Sequence, residues 1–192
     1  IPFYDGMKPY QRVPFQFSVH IVKKAGDKPK HISYISQSST DPREEFIDSL
    51  VSAVGDKGSI VVYHAPFEKG LLSEIAEFLP KHKAEIESIN SRVVDLLIPF
   101  KNFSYYHPSQ HGSASLKKVL PAVTGKTYED LEITEGETAS RLYYEMIHSK
   151  GNNKLKPAEK KKLLKDLEEY CKLDTEGMIL ILDKLESLKE EK

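Results

Sequence analysis

The sequence contains no tryptophan, one cysteine and no long apolar run, and its opposite charges nearly cancel. The lone thiol, Cys171, excludes an internal disulfide framework and suits a reducing compartment, so we expect a cytoplasmic protein. Without a long apolar run, no segment is expected to span a membrane. Basic residues number 28 and acidic residues 29, whereas proteins that package nucleic acid are usually strongly basic. A nuclease needs only a local basic track, so that class stays open.

Length and composition favour a single domain that covers residues 1–192. Hydrophobic residues make up 39% of the chain and charged residues 30%, which is typical of a soluble globular protein. The chain begins with Ile1-Pro2-Phe3, without an initiator methionine and in the middle of a pattern. We therefore expect a domain that is truncated at its N-terminus.

Four segments have the pattern of β-strands. Residues 15–22 alternate apolar and polar side chains, and residues 31–36 follow a polar turn, which predicts an antiparallel pair. Residues 59–63 form a short continuous apolar run, which indicates a strand buried on both faces. A further strand is predicted at residues 93–97.

Apolar residues at helical spacing predict helices between and after these strands. The first begins near Pro42, with Thr40 or Asp41 as its cap, and the second begins at Pro66 and ends before Pro80. Further helices are expected at residues 115–120 and 136–149 and from Pro157 onward, and residues 98–114 are expected to form a loop. This order of elements predicts an α/β fold.

Glu68 and Asp174 stand out because each follows an element that would aim it into a cleft. Glu68 lies in the first turn of a helix, where a carboxylate also stabilises the positive end of the helix dipole. Asp174 lies four residues after Tyr170, so the two share one helix face. Taken singly, each acid is better explained as a structural or solvated charge than as a catalytic group.

Together these motifs resemble the second and third motifs of the DEDD 3′–5′ exonucleases. Phe67-Glu68 opens a helix after a buried strand, and Tyr170-x-x-x-Asp174 matches the Tyr subgroup that includes RNase D-like and proofreading-polymerase enzymes. Ser115-Leu116 is similar to the start of a helix that RNase D-like members place between those motifs. The resemblance implies an RNase H-like mixed sheet flanked by helices.

The pattern resembles still more closely an uncharacterised bacterial domain family within that superfamily. The likeness rests on the order of short motifs that span nearly the whole chain: Pro9-Tyr10-Gln11, Pro14 to His20, Tyr63 to Glu68, Arg92 to Leu97, Tyr105 to Pro108, Gly112 to Leu120, and Tyr170 to Thr175. Each motif is weak alone, and their shared order and spacing is the stronger sign.

The sequence departs from the superfamily at its first motif, an Asp-x-Glu on the first, central strand. No such strand precedes Phe15, and Asp5 lies in a Pro/Gly-rich turn without a partner acid. His64 stands where related motifs usually have Asn, and Glu68 where many have Asp. The expected fold is therefore RNase H-like but lacks its first central strand.

The resemblance implies a site for two divalent metals, Mg²⁺ or Mn²⁺, that hydrolyses phosphodiesters. Two such ions roughly 3.5–4 Å apart stabilise the attacking and leaving oxygens, and hard cations prefer carboxylate and water oxygens. Glu68 and Asp174 would bind metal, and the Tyr170 hydroxyl would orient the attacking water. Asp95 would support these ligands from a strand end or, more simply, cap the following turn.

DNA or RNA is the expected partner, and the helix near residue 115 is its expected contact. Lys117, Lys118 and Ser115, beside Tyr105 and Tyr106, could hold phosphate and stack a base, while a solvated helix face over core aromatics explains them equally well. His64, which belongs to the motif Tyr63 to Glu68, is also expected to contact nucleic acid.

A zinc site is weighed and disfavoured. His107 and His111 have the spacing of helical metal ligands, but Pro108 and Gly112 place them in a loop without further ligands nearby.

The sequence thus predicts a metal-dependent 3′–5′ exonuclease-like domain that lacks half of its ligands and is inactive alone. The alternative is a non-catalytic nucleic-acid-binding or scaffolding module with the same fold. The missing strand would leave a slot between the strands at 15–22 and 59–63. We expect residues 1–8 to fill that slot, the half-sheets to close, or, as first choice, a homodimer to form through the exposed edges.

Overall fold

A computed structural model describes residues 4–151 and 154–190, which form a mixed α/β structure. The described residues contain two short 3₁₀ turns, at Pro80–His82 and Pro108–Gln110, and seven α-helices. The helices are α1 (Arg43–Val54), α2 (Ala65–Phe78), α3 (Lys83–Arg92), α4 (Ile98–Lys101), α5 (Leu116–Thr124), α6 (Gly136–His148) and α7 (Pro157–Glu190).

The four predicted strands are present and form two separate pairs. Strands β1 (Gln16–Ile21) and β2 (Lys30–Ile35) are antiparallel, whereas β3 (Ile60–Val62) and β4 (Val93–Asp95) are parallel. Between residues 4 and 151, no backbone pairing joins the two sheets. The half-sheets therefore have not closed together.

The segment expected to fold back between the sheets does not do so where it is described. Residues 4–8 form a turn, in which the Met7 N–H donates to the Tyr4 carbonyl at 3.1 Å, and not a strand. Residues 1–3 of that segment lie outside the described residues. Pairing with a second copy through the sheet edges stays a prediction.

Three apolar clusters form the core, and α7 contributes to two of them. The first lies between the β1–β2 sheet and helices α1 to α3, with Phe46 and Ile75 among its buried members. The second joins β3 to α5 and α7 through Leu120 and Ile181, and the third joins α6 to α7 through Tyr143 and Leu167. Helix α7 also packs against β1, so it touches both halves of the structure.

The local departures from prediction have simple causes. Helix α3 is missing from the sequence prediction because only Ile86 and Ile89 are buried in an otherwise polar segment. Helix α1 has Pro42 at its cap position, while the predicted cap Asp41 accepts a hydrogen bond from the Arg43 N–H at 3.0 Å.

Substituting Gly177 with Ala should destabilise the fold, because α5 approaches α7 at this glycine. A methyl group there would lie 2.8 Å from Cδ2 of Leu120, a fully buried side chain. Ala is the better helix former by about 1 kcal/mol, yet overpacking typically costs about 1–3 kcal/mol. We expect thermal unfolding to show a lower Tm, by about 2–4 °C for each kcal/mol lost.

The matched control for that experiment is Gly136→Ala. Its new methyl group would lie 3.6 Å from the Tyr170 hydroxyl, an ordinary contact. A Tm for Gly177→Ala equal to or above that of the control would show that α5 and α7 are not closely packed here.

Candidate active site

Asp95 anchors the turn that starts helix α2. Parallel pairing places Asp95, at the end of β4, beside Val62 at the end of β3. The Asp95 carboxylate accepts hydrogen bonds from the N–H groups of His64 and Ala65, each at 2.9 Å, and of Leu97 at 3.0 Å. One side chain thus fixes both the β3–α2 turn and the turn that follows β4.

These hydrogen bonds offset the burial of the Asp95 carboxylate and the backbone strain of His64. Burial alone would raise the pKa of Asp95, but the three backbone donors lower it below its usual value. His64 has a left-handed backbone with φ of 81°, a conformation that costs of order 1–3 kcal/mol outside glycine. The bond from the Leu97 N–H is the turn cap that the sequence offered as the simpler role of Asp95, and its support of metal ligands stays a prediction.

Glu68 lies in the first turn of the helix that Asp95 starts, and its side chain is half-buried. Burial raises the pKa of Glu68, the nearby Arg12 guanidinium opposes that rise, and the charge of Asp174 adds to it. Two acids that are 106 positions apart in sequence therefore lie within electrostatic range of each other.

Asp174 lies near the middle of α7 and is held by a tyrosine that sequence reasoning missed. The Tyr128 hydroxyl donates to Oδ1 of Asp174 at 2.6 Å. Burial raises the pKa of Asp174, while this hydrogen bond and the charge of Lys117 reduce the rise. Within the described residues, Oδ2 of Asp174 accepts no hydrogen bond, which leaves that oxygen free for a ligand.

Tyr170 lies one helical turn before Asp174, as predicted from its spacing. Burial raises the pKa of the Tyr170 hydroxyl, and the charge of Asp174 adds to this effect, so the phenol stays protonated. Its ring centroid is 6.3 Å from that of Tyr128, and the Lys117 ammonium lies 5.9 Å from the Tyr170 ring centroid. Two tyrosines and one cation therefore surround the Asp174 carboxylate.

Cys171 provides a second sign that the two acids lie close together. Burial raises the pKa of the Cys171 thiol to about 12, and the charges of Asp174 and Glu68 both add to the rise. The thiol is therefore neutral at physiological pH and lies within range of both carboxylates.

Arg12 is the cation beside Glu68, and nothing in its sequence context indicates this position. Its Nη2 lies 2.5 Å from Oε1 of Glu74, and its guanidinium carbon lies 5.0 Å from the ring centroid of Phe67. Tyr128 was missed for a similar reason, because it is a lone aromatic in a polar loop with no periodic pattern around it.

Of the residues expected to contact nucleic acid, three are exposed and one, Lys117, is already in an ion pair. Nζ of Lys117 pairs with Oε2 of Glu135 at 2.6 Å, so its charge is already balanced within the chain. Ser115 and Lys118 are exposed at the start of α5, and His64 is exposed at the start of α2.

The chain's own acids fit a hard cation only in part. Mg²⁺ usually takes one or two carboxylates and completes its shell with water or substrate phosphate, which Glu68 and Asp174 can satisfy. Among the described residues, no three His, Cys, Asp or Glu side chains are grouped as metal ligands. A two-metal site would need further oxygen ligands, and the disfavoured His107–His111 pair does not supply them.

Residues 1–115 match the protein family described as "Domain of unknown function (DUF2779)", and the chain belongs to this family. The matched part contains His64, Glu68 and Asp95 and ends before Tyr170 and Asp174. The predicted resemblance to an uncharacterised domain family is confirmed for residues 1–115. The membership of this family in the exonuclease superfamily stays a prediction.

Two mycoplasma proteins are similar to this chain. The "Uncharacterized protein MG366 homolog" of Mycoplasma pneumoniae is 26% identical over 147 residues, and the "Uncharacterized protein MG366" of Mycoplasma genitalium is 28% identical over 156 residues. The alignments cover 70% and 75% of this chain but 22% and 23% of the relatives. The chain therefore spans less than a quarter of their length.

No solved structure matches the chain. In the part of the chain that the structure describes, no helix is long and apolar enough to cross a membrane.

Replacing either acid by its amide, Glu68→Gln or Asp174→Asn, should stabilise the chain at neutral pH. Burial raises the pKa of both acids, so folding favours their protonated forms and stability falls as pH rises through the raised values. The penalty falls on the charged forms, which the amides cannot adopt. We expect a higher Tm for each variant, by about 2–4 °C per kcal/mol relieved.

The dependence of Tm on pH distinguishes relief of the carboxylate charge from a stabilisation that is independent of charge. Near pH 3 both carboxyls are protonated in folded and unfolded chains, so the advantage of the amide variants should disappear. Asp183→Asn, at an exposed position on the same helix, is the control and should show no such profile. Amide variants that are less stable than the wild type at pH 7 would contradict the site's electrostatics.

Proposed function

We propose that this chain contributes one half of a metal-dependent 3′–5′ exonuclease site that hydrolyses DNA or RNA. The observation that carries the proposal is that Glu68 and Asp174, which come from different elements, lie within electrostatic range of each other. Half-buried acids with raised pKa values are a common mark of functional sites. Their motifs also resemble those of the DEDD enzymes in order and element type.

A divalent cation supplies the chemistry that these residues lack, since it polarises a phosphoryl oxygen and lowers the pKa of a water molecule. The pair favours such a cation because its charge would relieve the repulsion between the acids and their desolvation. Metal binding would therefore oppose the rise in both pKa values.

The remaining residues hold the ligands and orient the nucleophile. Tyr128 fixes the rotation of the Asp174 carboxylate by donating to one of its oxygens. Asp95 fixes the start of α2 and hence the position of Glu68. We assign the orientation of the attacking water to the protonated Tyr170 hydroxyl, because it lies one helical turn from Asp174.

The proposal also includes an RNase H-like fold whose first strand comes from outside residues 1–192. Two separate strand pairs, both in contact with α7, suit a sheet that lacks a central strand. The relatives are more than four times longer than the matched region, which leaves room for such a strand. That strand would carry the two further carboxylates of the Asp-x-Glu motif.

Exonuclease assays on two lengths of chain test this proposal. The 192-residue chain should release no nucleotides with Mn²⁺, because half of the ligands are absent. A longer form that begins with an Asp-x-Glu strand should release mononucleotides from the 3′ end. Asp174→Asn should reduce that release by more than about 100-fold, since losses of about 10–100-fold already follow removal of outer-shell partners.

Asp183→Asn is the control for those assays and should retain activity. Hydrolysis by the 192-residue chain that Asp174→Asn abolishes would disprove the need for further ligands. Activity of the longer form that survives Asp174→Asn would disprove the site. An inactive longer form that still binds oligonucleotides would favour the non-catalytic binding module.

A further inference from the structure

An exposed aromatic pair, Phe103 and Tyr106, lies in the segment between α4 and α5, and we call this pair the aromatic platform. Phe103 is 67% exposed and Tyr106 is 44% exposed, with ring centroids 5.7 Å apart. The sequence paired Tyr106 with Tyr105 instead. Tyr105 turns inward, however, and packs edge-on against the buried Phe100 at 5.7 Å.

The platform is held in place by its own loop. Phe103 has a left-handed backbone with φ of 55°, a strained state that persists only where the surroundings impose it. The Tyr106 hydroxyl accepts a hydrogen bond from the Gly112 N–H at 3.2 Å. Below it, the buried Gln110 accepts from the His107 N–H at 2.8 Å and donates to the Ser113 carbonyl at 3.1 Å.

A groove of about 160 Å³ runs beside the platform and is lined by both of its rings. Its other walls include Lys101, Ser113 and Ala114. A cavity of about 150 Å³ can hold one benzene ring, so this groove suits a single planar ring and not a folded segment. The lining therefore combines aromatic rings, which can stack on a base, with a lysine, which can pair with a phosphate.

The charge around the platform favours a polyanion over a protein partner. Residues 96–128 contain no Asp or Glu, although 29 acids in 192 residues would place about five in a stretch of this length. The same stretch contains four lysines, Lys101, Lys117, Lys118 and Lys126, of which Lys117 is paired with Glu135 and Lys101 lines the groove. A segment without acids that exposes aromatic rings suits a single strand of nucleic acid.

The platform is also connected to the candidate active site. The Tyr63 hydroxyl donates to the Ala114 carbonyl at 2.6 Å, and Tyr63 directly precedes the turn that starts α2. This bond ties the groove wall to the end of β3, which leads into the helix that carries Glu68.

We propose that the aromatic platform stacks one nucleobase of a single-stranded DNA or RNA, away from the hydrolysed bond. This inference rests on the proposed function and deepens it, since it assigns a base-binding subsite to the same substrate. Every base has a π face, so stacking tolerates any sequence and the subsite binds the strand without base specificity.

The absence of tryptophan makes the test direct. Phe103→Trp gives the chain a single tryptophan that keeps the stacking surface and reports on it by fluorescence. Short oligo-dT and oligo-rU should quench this tryptophan, whereas an abasic oligonucleotide with the same phosphates should not. By anisotropy of a labelled oligo-dT, Phe103→Ala should weaken binding by between about 5-fold and 150-fold, the range for losing one base–aromatic stack.

Tyr144→Trp and Tyr144→Ala are the matched controls, because Tyr144 is 42% exposed on α6, where it lies against His148. Neither control should respond to oligonucleotides or change their binding. Binding that Phe103→Ala leaves unchanged would overturn the platform and spare the proposed function. No binding by the wild-type chain would overturn the platform and leave the proposed function to the assays on the longer form. A concentration-dependent dimer lost in Phe103→Ala would show a protein contact instead.

Discussion

The position of Asp174 depends on how tightly α7 is held on either side of it. Leu173 is buried in the cluster that joins α7 to α5, and Gly177 lies against Leu120 with no room for a methyl group. Next to Asp174, the Thr175 hydroxyl lies 2.8 Å from both Oγ of Ser18 and Nδ1 of His20 on β1. The helix backbone at Asp174 therefore cannot shift without breaking these contacts.

Because of this constraint, the charges of Glu68 and Asp174 lower the stability of the folded chain. Two carboxylates that lose water and repel each other would normally be replaced by neutral groups, since desolvated charge is costly without a partner. Arg12 and Lys117 reduce that cost, but each is already paired with another acid, Glu74 and Glu135. An arrangement that costs stability and combines residues from α2, α5 and α7 is better explained by ligand binding.

Much of the fold was predictable because its elements have strong local patterns. The strands at residues 16–21 and 60–62 follow apolar alternation and an apolar run, and the Tyr170–Asp174 spacing gives one helix face in any context. Helix α3 was not predictable, since its buried face consists of two isoleucines in a polar segment. Its stability comes from the packing of α1 and α2 against it, which local sequence does not reveal.

Short motifs singled out Glu68 and Asp174 in the sequence, whereas the residues around them came only from the structure. Tyr128 and Arg12 approach the two acids through tertiary contacts alone, and the exposure of Phe103 has no signal in its local pattern. Asp95 has one contact that was predictable from the sequence and one that was not. Its place at a strand end indicated a cap, but the link to His64 arises only from the parallel pairing of β3 and β4.

Paramagnetic Mn²⁺ offers the most direct test of the central claim that Glu68 and Asp174 form one cation site. In a ¹⁵N-labelled chain, substoichiometric Mn²⁺ should weaken the amide signals of the first turn of α2 and of the middle of α7 together. Either Glu68→Gln or Asp174→Asn should abolish both losses. Signal loss at only one of these helices, or losses that persist in both variants, would contradict the account.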